Sequence, residues 1–374
     1  MSSNEAKNTP ANLKSSQRSS DPTTRPSSLT DIIKSGRVRL AVFVVLFIGL
    51  SAAVPYVIYH RLGGDLPTFS REWLSGPFLL ACAALLLLYF SCDALRLFYT
   101  LKSLGYHLSL KKFMPLVFIN ILVSNISPMA TGGGLAQIWY LRGEGVRLGT
   151  ATAATTLRTL QAVAFIFLPT PFLLLSMESV RTPLRDGQAV LLLALVAIVY
   201  LIFFALVLWR IKWLMTMLDL ILNPLLRRHP GKPSRIRRWR FGLRREMLRF
   251  SYATRSFFRG AKTNVLLALF FTALFLLSLF SFPALLLWGL GYSIDYPTSL
   301  GLLVVTTFIM YFSPTPGAAG VAEGAFGLFF HQLISANDLL LTIVAWRFLT
   351  IYLGMLIGIP VTLRTVFGRD RHHV

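Results

Sequence analysis

Residues 264–289 contain no charged side chain, a stretch long enough to cross a hydrocarbon core of ~30 Å as an α-helix. Further apolar runs near twenty residues lie at 40–59, 77–99, 157–177, 189–209 and 339–363. In lipid, backbone N–H and C=O groups have to be satisfied within the protein, so a chain of this pattern packs as helices. With 55% hydrophobic residues, it reads as an all-α integral membrane protein, and a soluble enzyme is excluded.

Two apolar runs are interrupted in the same way. Residues 127–137 read Ser-Pro-Met-Ala-Thr-Gly-Gly-Gly-Leu-Ala-Gln, and residues 313–323 read Ser-Pro-Thr-Pro-Gly-Ala-Ala-Gly-Val-Ala-Glu. In both copies five residues separate Ser-Pro from a Gly, an aliphatic residue, Ala, and then Gln or Glu. Proline removes a backbone donor and glycine relaxes the chain, so each helix should break here. Broken backbone at membrane depth is tolerated where protein or a water-filled cavity surrounds it, and paired breaks in corresponding halves point to a transporter's binding site. Kinked helices with small-residue packing faces are the plainer alternative.

Charge orders the topology. The net charge of +22 lies between apolar segments, which favours an anionic lipid surface over nucleic acid as its partner. Residues 1–36 read as a disordered basic cytoplasmic tail, and 40–59 as a retained first span. Lys102, Lys111 and Lys112 place the next loop in the cytoplasm. The stretch 212–262 holds fourteen Lys and Arg against Asp219 and Glu246, with aromatic residues between them, as expected of an amphipathic cytoplasmic loop on an anionic leaflet. The tail from 365 is basic and belongs inside.

The segments 113–126 and 298–312 are too short to cross comfortably before their Ser-Pro breaks. They suggest re-entrant helical hairpins over 113–141 and 298–334. Full spans are expected near 40–59, 77–99, 150–177, 189–209, 264–289 and 339–363, with 178–188 as an outer loop. Halves of 37–210 and 263–364 then carry hairpins entering from opposite faces, an inverted-topology repeat suited to alternating access.

The pattern Asn125-Ile-Ser-Pro128, Thr131-Gly-Gly-Gly134, Gln137-Ile-Trp-Tyr-Leu-Arg142, Gly145-Val and Ala151-Thr-Ala resembles the transmembrane domain of lysylphosphatidylglycerol synthases. Ser313-Pro-Thr-Pro-Gly317, Gly320-Val-Ala-Glu323-Gly and the later Arg347 are similar to that family's second motif. The resemblance spans roughly 38–364 and implies a flippase-like domain moving an aminoacylated, glycosylated or otherwise modified phospholipid between leaflets. It implies a multi-pass protein of a bacterial or archaeal inner membrane, and a homodimer is compatible with it. The synthases carry a following aminoacyl-transferase domain, and the chain as given ends at Val374, so it is expected not to synthesise the lipid. It also departs from the family at Pro316-Gly-Ala and at Leu157 and Gln161, which bears on headgroup choice.

For translocation of a lipid phosphate, Arg158 and Arg347 are the candidate bidentate donors. Backbone N–H groups near Gly133, Gly134, Gly317 and Gly320 are expected to be free at half-helix starts. Glu323 would face a substrate cation, exchange a proton, or pair with Arg347. Gln137 and Asn125 are weaker candidates that interhelical hydrogen bonding explains nearly as well, as it does Asn120. Arg96, three residues after Asp93, serves either as an ion-pair partner or as a substrate contact, and Arg142 and Glu144 are either contacts or markers of the membrane boundary. No cofactor, metal or nucleotide motif is visible. Cys82 and Cys92 lie ten residues apart on one helix, about 15 Å, too far for a disulfide. Two other classes stay open: a membrane-embedded transferase on a lipid phosphate using Glu323 with His331, and a non-catalytic partner subunit docked through the basic loop.

Overall fold

The computed structural model describes residues 49, 56, 60, 71–184, 187–209, 245, 252 and 255–370, all within the unit Val42–Val374. The basic tail 1–36, the first apolar run 40–59 apart from Gly49 and Tyr56, and most of the basic stretch 212–262 lie outside the described residues. Among the described residues every regular element is helical.

Helix α1 (Gly76–Ser103) starts with Pro77, whose missing N–H costs nothing in a first turn. Helix α2 (Phe113–Ile126) stops where Ser127 turns extended, and a 3-10 turn at Pro128–Ala130 leads to α3 (Thr131–Gly143). Helix α4 (Leu148–Phe167) is interrupted before α5 (Thr170–Ser176), where Pro169 and Pro171 remove two nearby ladder donors. Next come α6 (Glu178–Leu184) and α7 (Gly187–Trp209), which meet at a bend of 117°. The second half brings α8 (Lys262–Trp288), α9 (Tyr296–Met310), a 3-10 turn at Pro316–Ala318, and α10 (Val321–Phe330). Helix α11 (Ala336–Arg347) is capped by Ser335, whose Oγ accepts from the Asp338 N–H at 3.2 Å. It continues through a π-turn at Phe348–Tyr352 into α12 (Leu353–Asp370).

Four segments among the described residues are long and apolar enough to cross a membrane: Gly76–Ser103, Leu148–Ser176, Lys262–Trp288 and Ala336–Thr365. The α6–α7 pair is apolar enough for a fifth. The outer loop expected at 178–188 is a correction: its first part is helical. Glu178 sits in the first turn of α6, where a carboxylate favours the helix dipole.

The packing is turned inside out relative to a water-soluble protein. Leu80, Leu87, Leu191 and Leu195 are exposed, while Asp93, Arg96, Arg158, Glu323 and Arg347 are buried, the arrangement expected when the surrounding medium is lipid. Helices α1 and α8 hold the centre through aromatic contacts. Tyr89 stacks on Phe275 with centroids 5.0 Å apart, Tyr99 on Phe271 at 5.5 Å, and the Trp73 indole donates to the Leu286 carbonyl at 3.2 Å. Helices α2 and α12 approach through Gly354 and Gly358, where a Cβ at Gly358 would lie 2.6 Å from the Phe118 carbonyl oxygen. Such a small-xxx-small face lets two backbones meet without a side chain between them. Cys82 and Cys92 are both buried free thiols.

Candidate functional site

Asp93 and Arg96 lie one helical turn apart on α1, and Arg96 Nε donates to Asp93 Oδ1 at 2.7 Å. From α4, Arg158 Nη2 donates to the same oxygen. The Arg96 guanidinium also lies 3.8 Å from the Phe275 ring centroid, so it is held between a carboxylate and an aromatic face. All three charged side chains are buried. Two guanidiniums against one carboxylate leave a net positive charge inside the helix bundle. Arg96 Nη1 and Arg158 Nε have no hydrogen-bond partner among the described residues. Buried charge of that kind is costly unless an anion meets it.

The two Ser-Pro breaks are built differently. At the first, Ser127 Oγ donates to the Val123 carbonyl at 2.8 Å and accepts from the Gly132 N–H at 2.9 Å. One hydroxyl thus closes the end of α2 and the start of α3. Met129 and Ala130 between them are left-handed, with φ of 52° and 53°. At the second, Gly317 and Ala318 form the left-handed pair, with φ of 57° and 52°, and Gly320 at φ 85° precedes α10. A charged staple holds this turn. Arg347 Nε lies 2.8 Å from Glu323 Oε1, Glu323 Oε2 accepts from the Gly320 N–H at 2.7 Å, and Arg347 Nη2 donates to the Gly317 carbonyl at 2.9 Å. Non-glycine residues in the left-handed region carry strain that surrounding contacts have to offset.

The backbone equivalence is offset from the sequence repeat. Aligned by letters, Ser127-Pro128 matches Ser313-Pro314, yet each left-handed pair directly follows Pro128 and Pro316. Helix α3 starts at Thr131 straight after its pair, whereas Ala319 and Gly320 intervene before α10.

The two 3-10 turns touch each other, and the second also packs on α2. Beside them is a cavity of about 400 Å³. Arg96, Asn125, Gly134, Gln137, Arg158 and Gly317 line it, with further polar groups from Asn120, Thr159, Thr307 and Tyr311. The structure therefore brings the two breaks, two arginines and the amides together.

Other sequence candidates are placed elsewhere. Glu323 and Arg347 are buried and engaged in the staple, and neither lines the cavity. Gly320 does not line it, and its N–H, expected to be free, is taken by Glu323. The Gly132 N–H is likewise taken by Ser127. Gly133 is a packing position: a Cβ there would come within 1.9 Å of Ser124 Oγ. Arg142 and Glu144 lie at the far end of α3, where Glu144 pairs with Lys112 at 2.6 Å and so joins the end of α3 to the chain entering α2.

The sequence reading missed Asp93 as the group shared by both arginines, and Tyr311 as a cavity residue. An intramembrane carboxylate is itself a signal for the first. Nothing local links Asp93 to Arg158, which lie 65 residues apart.

Residues 38–358 match the family described as the lysylphosphatidylglycerol synthase TM region. A UPF0104 membrane protein of Archaeoglobus fulgidus is 24% identical over 269 residues, covering 71% of this chain and 79% of that protein. The matched region runs through both breaks, the shared carboxylate and the Glu323–Arg347 staple. On a match of that extent, the chain belongs to the lysylphosphatidylglycerol synthase TM region family.

Proposed function

We propose that this protein moves a polar lipid between leaflets, carrying the headgroup through the cavity beside the two breaks while the acyl chains stay in lipid. The observation that carries the reading is the shared cavity: two broken segments contact each other where two buried arginines share one carboxylate. A lipid phosphate leaving the headgroup layer needs donors at depth, and guanidinium groups supply them in bidentate form.

In this reading α2–α3 and α9–α10 are re-entrant hairpins inserted from opposite faces. Helix α2 has 14 residues and α10 has 10, about 21 Å and 15 Å of helix against a ~30 Å core. With two halves of inverted topology, rocking one against the other would open the cavity alternately to each leaflet. The chain termini are then cytoplasmic in the cell membrane, and the basic stretch 212–262 rests on anionic lipid.

Transport is favoured over a transferase because the only nominated acid/base pair does not converge. Glu323 is engaged with Gly320 and Arg347, while His331 is exposed with Nδ1 2.8 Å from the Leu328 carbonyl oxygen.

The test is leaflet exchange of labelled anionic phospholipid in vesicles holding the purified protein. Exchange above that of protein-free vesicles, falling about tenfold or more in Arg158→Gln, is expected. Background exchange for every lipid with folded wild-type protein overturns the reading.

A further inference from the structure

We infer that the headgroup accepted by the cavity is a monoanionic phosphodiester bearing an uncharged, hydroxyl-rich group, and that cationic headgroups, aminoacylated ones included, are rejected. The inference rests on the transport reading's cavity and specifies its substrate class.

Charge is the first argument. Asp93 offsets one of Arg96 and Arg158, so the site as a whole has room for one negative charge. Among the described residues, no aspartate or glutamate lines the cavity. Glu323, on the second broken segment, has one carboxylate oxygen on the Gly320 N–H and the other beside Arg347. An ammonium brought in on a headgroup would therefore meet two guanidiniums and no free carboxylate. Such like-charge juxtaposition is strongly unfavourable. Among the described lining residues Tyr311 gives a single aromatic ring, whereas cages for organic cations use several.

The second argument is the chemistry of the remaining lining. Asn120, Asn125, Gln137, Thr159, Thr307 and Tyr311 offer amides and hydroxyls, which can donate and accept. Sugar or glycerol hydroxyls also do both, so they suit these groups and leave no charge to neutralise. Space permits more than a bare phosphate: about 400 Å³ corresponds to roughly a dozen waters at ~30 Å³ each.

The experiment compares four labelled lipids in vesicles with the intact protein: phosphatidylglycerol, a glycosylated phospholipid, phosphatidylethanolamine and lysyl-phosphatidylglycerol. In parallel, glycerophosphoglycerol and glycerophosphoethanolamine are titrated against the detergent-solubilised protein, with thermal stability as the readout. The expected result is exchange of the two polyol lipids about tenfold or more faster than of the amine-bearing ones, and stabilisation by glycerophosphoglycerol alone. Asn120→Asp, an isosteric change that puts a carboxylate in the lining, should narrow that difference. Equal or faster exchange of lysyl-phosphatidylglycerol overturns the headgroup inference while leaving transport intact. Selective stabilisation by glycerophosphoglycerol with no exchange of any lipid supports the headgroup inference and overturns transport. Neither selective binding nor exchange overturns both.

Discussion

Arg347 Nη2 donates to the Gly317 carbonyl at 2.9 Å, across thirty residues of chain. One side chain on a membrane-length helix thereby holds the left-handed turn between α9 and α10, while its Nε faces Glu323. The first break needs only the Ser127 hydroxyl. A charged staple is the more rigid solution where the turn is two residues longer before its helix begins.

The staple predicts a double-mutant cycle. Arg347→Ala leaves Glu323 charged and buried and should cost about 3–5 kcal/mol. Glu323→Gln keeps an oxygen for the Gly320 N–H but leaves Arg347 buried without its counter-charge, so a comparable loss is expected. The Glu323→Ala, Arg347→Ala pair should lose less than the sum of its single changes, read by thermal unfolding in detergent. Additive losses would mean the two side chains do not act as a pair.

Asp93→Asn should be among the most damaging single substitutions, since it leaves two buried guanidiniums without their shared counter-charge. A loss of about 3–5 kcal/mol is expected. Adding Arg96→Met should restore much of it, because one charge and its stem are replaced by an apolar chain. Unfolding midpoints of the three proteins measure this directly, and no rescue in the double variant would contradict the charge argument.

Ser127→Ala removes the hydroxyl that closes α2 and caps α3. A loss of about 1 kcal/mol is expected, with lipid exchange slowed and the protein still folded. Ser127→Thr, which keeps the oxygen, should retain most of the exchange. Exchange unchanged in Ser127→Ala would show that the first break does not depend on this cap.

At the α2–α12 contact, Gly358→Leu introduces a side chain whose Cβ already falls 2.6 Å from the Phe118 carbonyl oxygen. Because the obstacle is backbone, the helices have to separate, at about 1–3 kcal/mol. Gly324→Ala on α10 should be tolerated, because a Cβ added there meets no atom within 4 Å. Similar unfolding temperatures for the two variants would count against close packing at Gly358.

Helix type, membrane class and family were legible in the amino-acid order, because they rest on local chemistry. An uncharged run such as 264–289 has to satisfy its own backbone in lipid. Pro128 and Pro316 withhold donors wherever the helices end up. Asp93 and Arg96 meet because three residues on a helix bring them together. The long-range contacts were a different matter. Arg158 joins Asp93 only because α1 and α4 pack side by side, and Arg347 reaches Glu323 and the Gly317 carbonyl only because α11 packs against α10. The repeat itself shifted by two residues, since backbone geometry follows the proline that precedes the left-handed pair, and similar letters do not carry that information. Sequence determined the all-helical class and the two Ser-Pro breaks; the packing of the helices decided which charges are spent on structure and which are left facing the cavity.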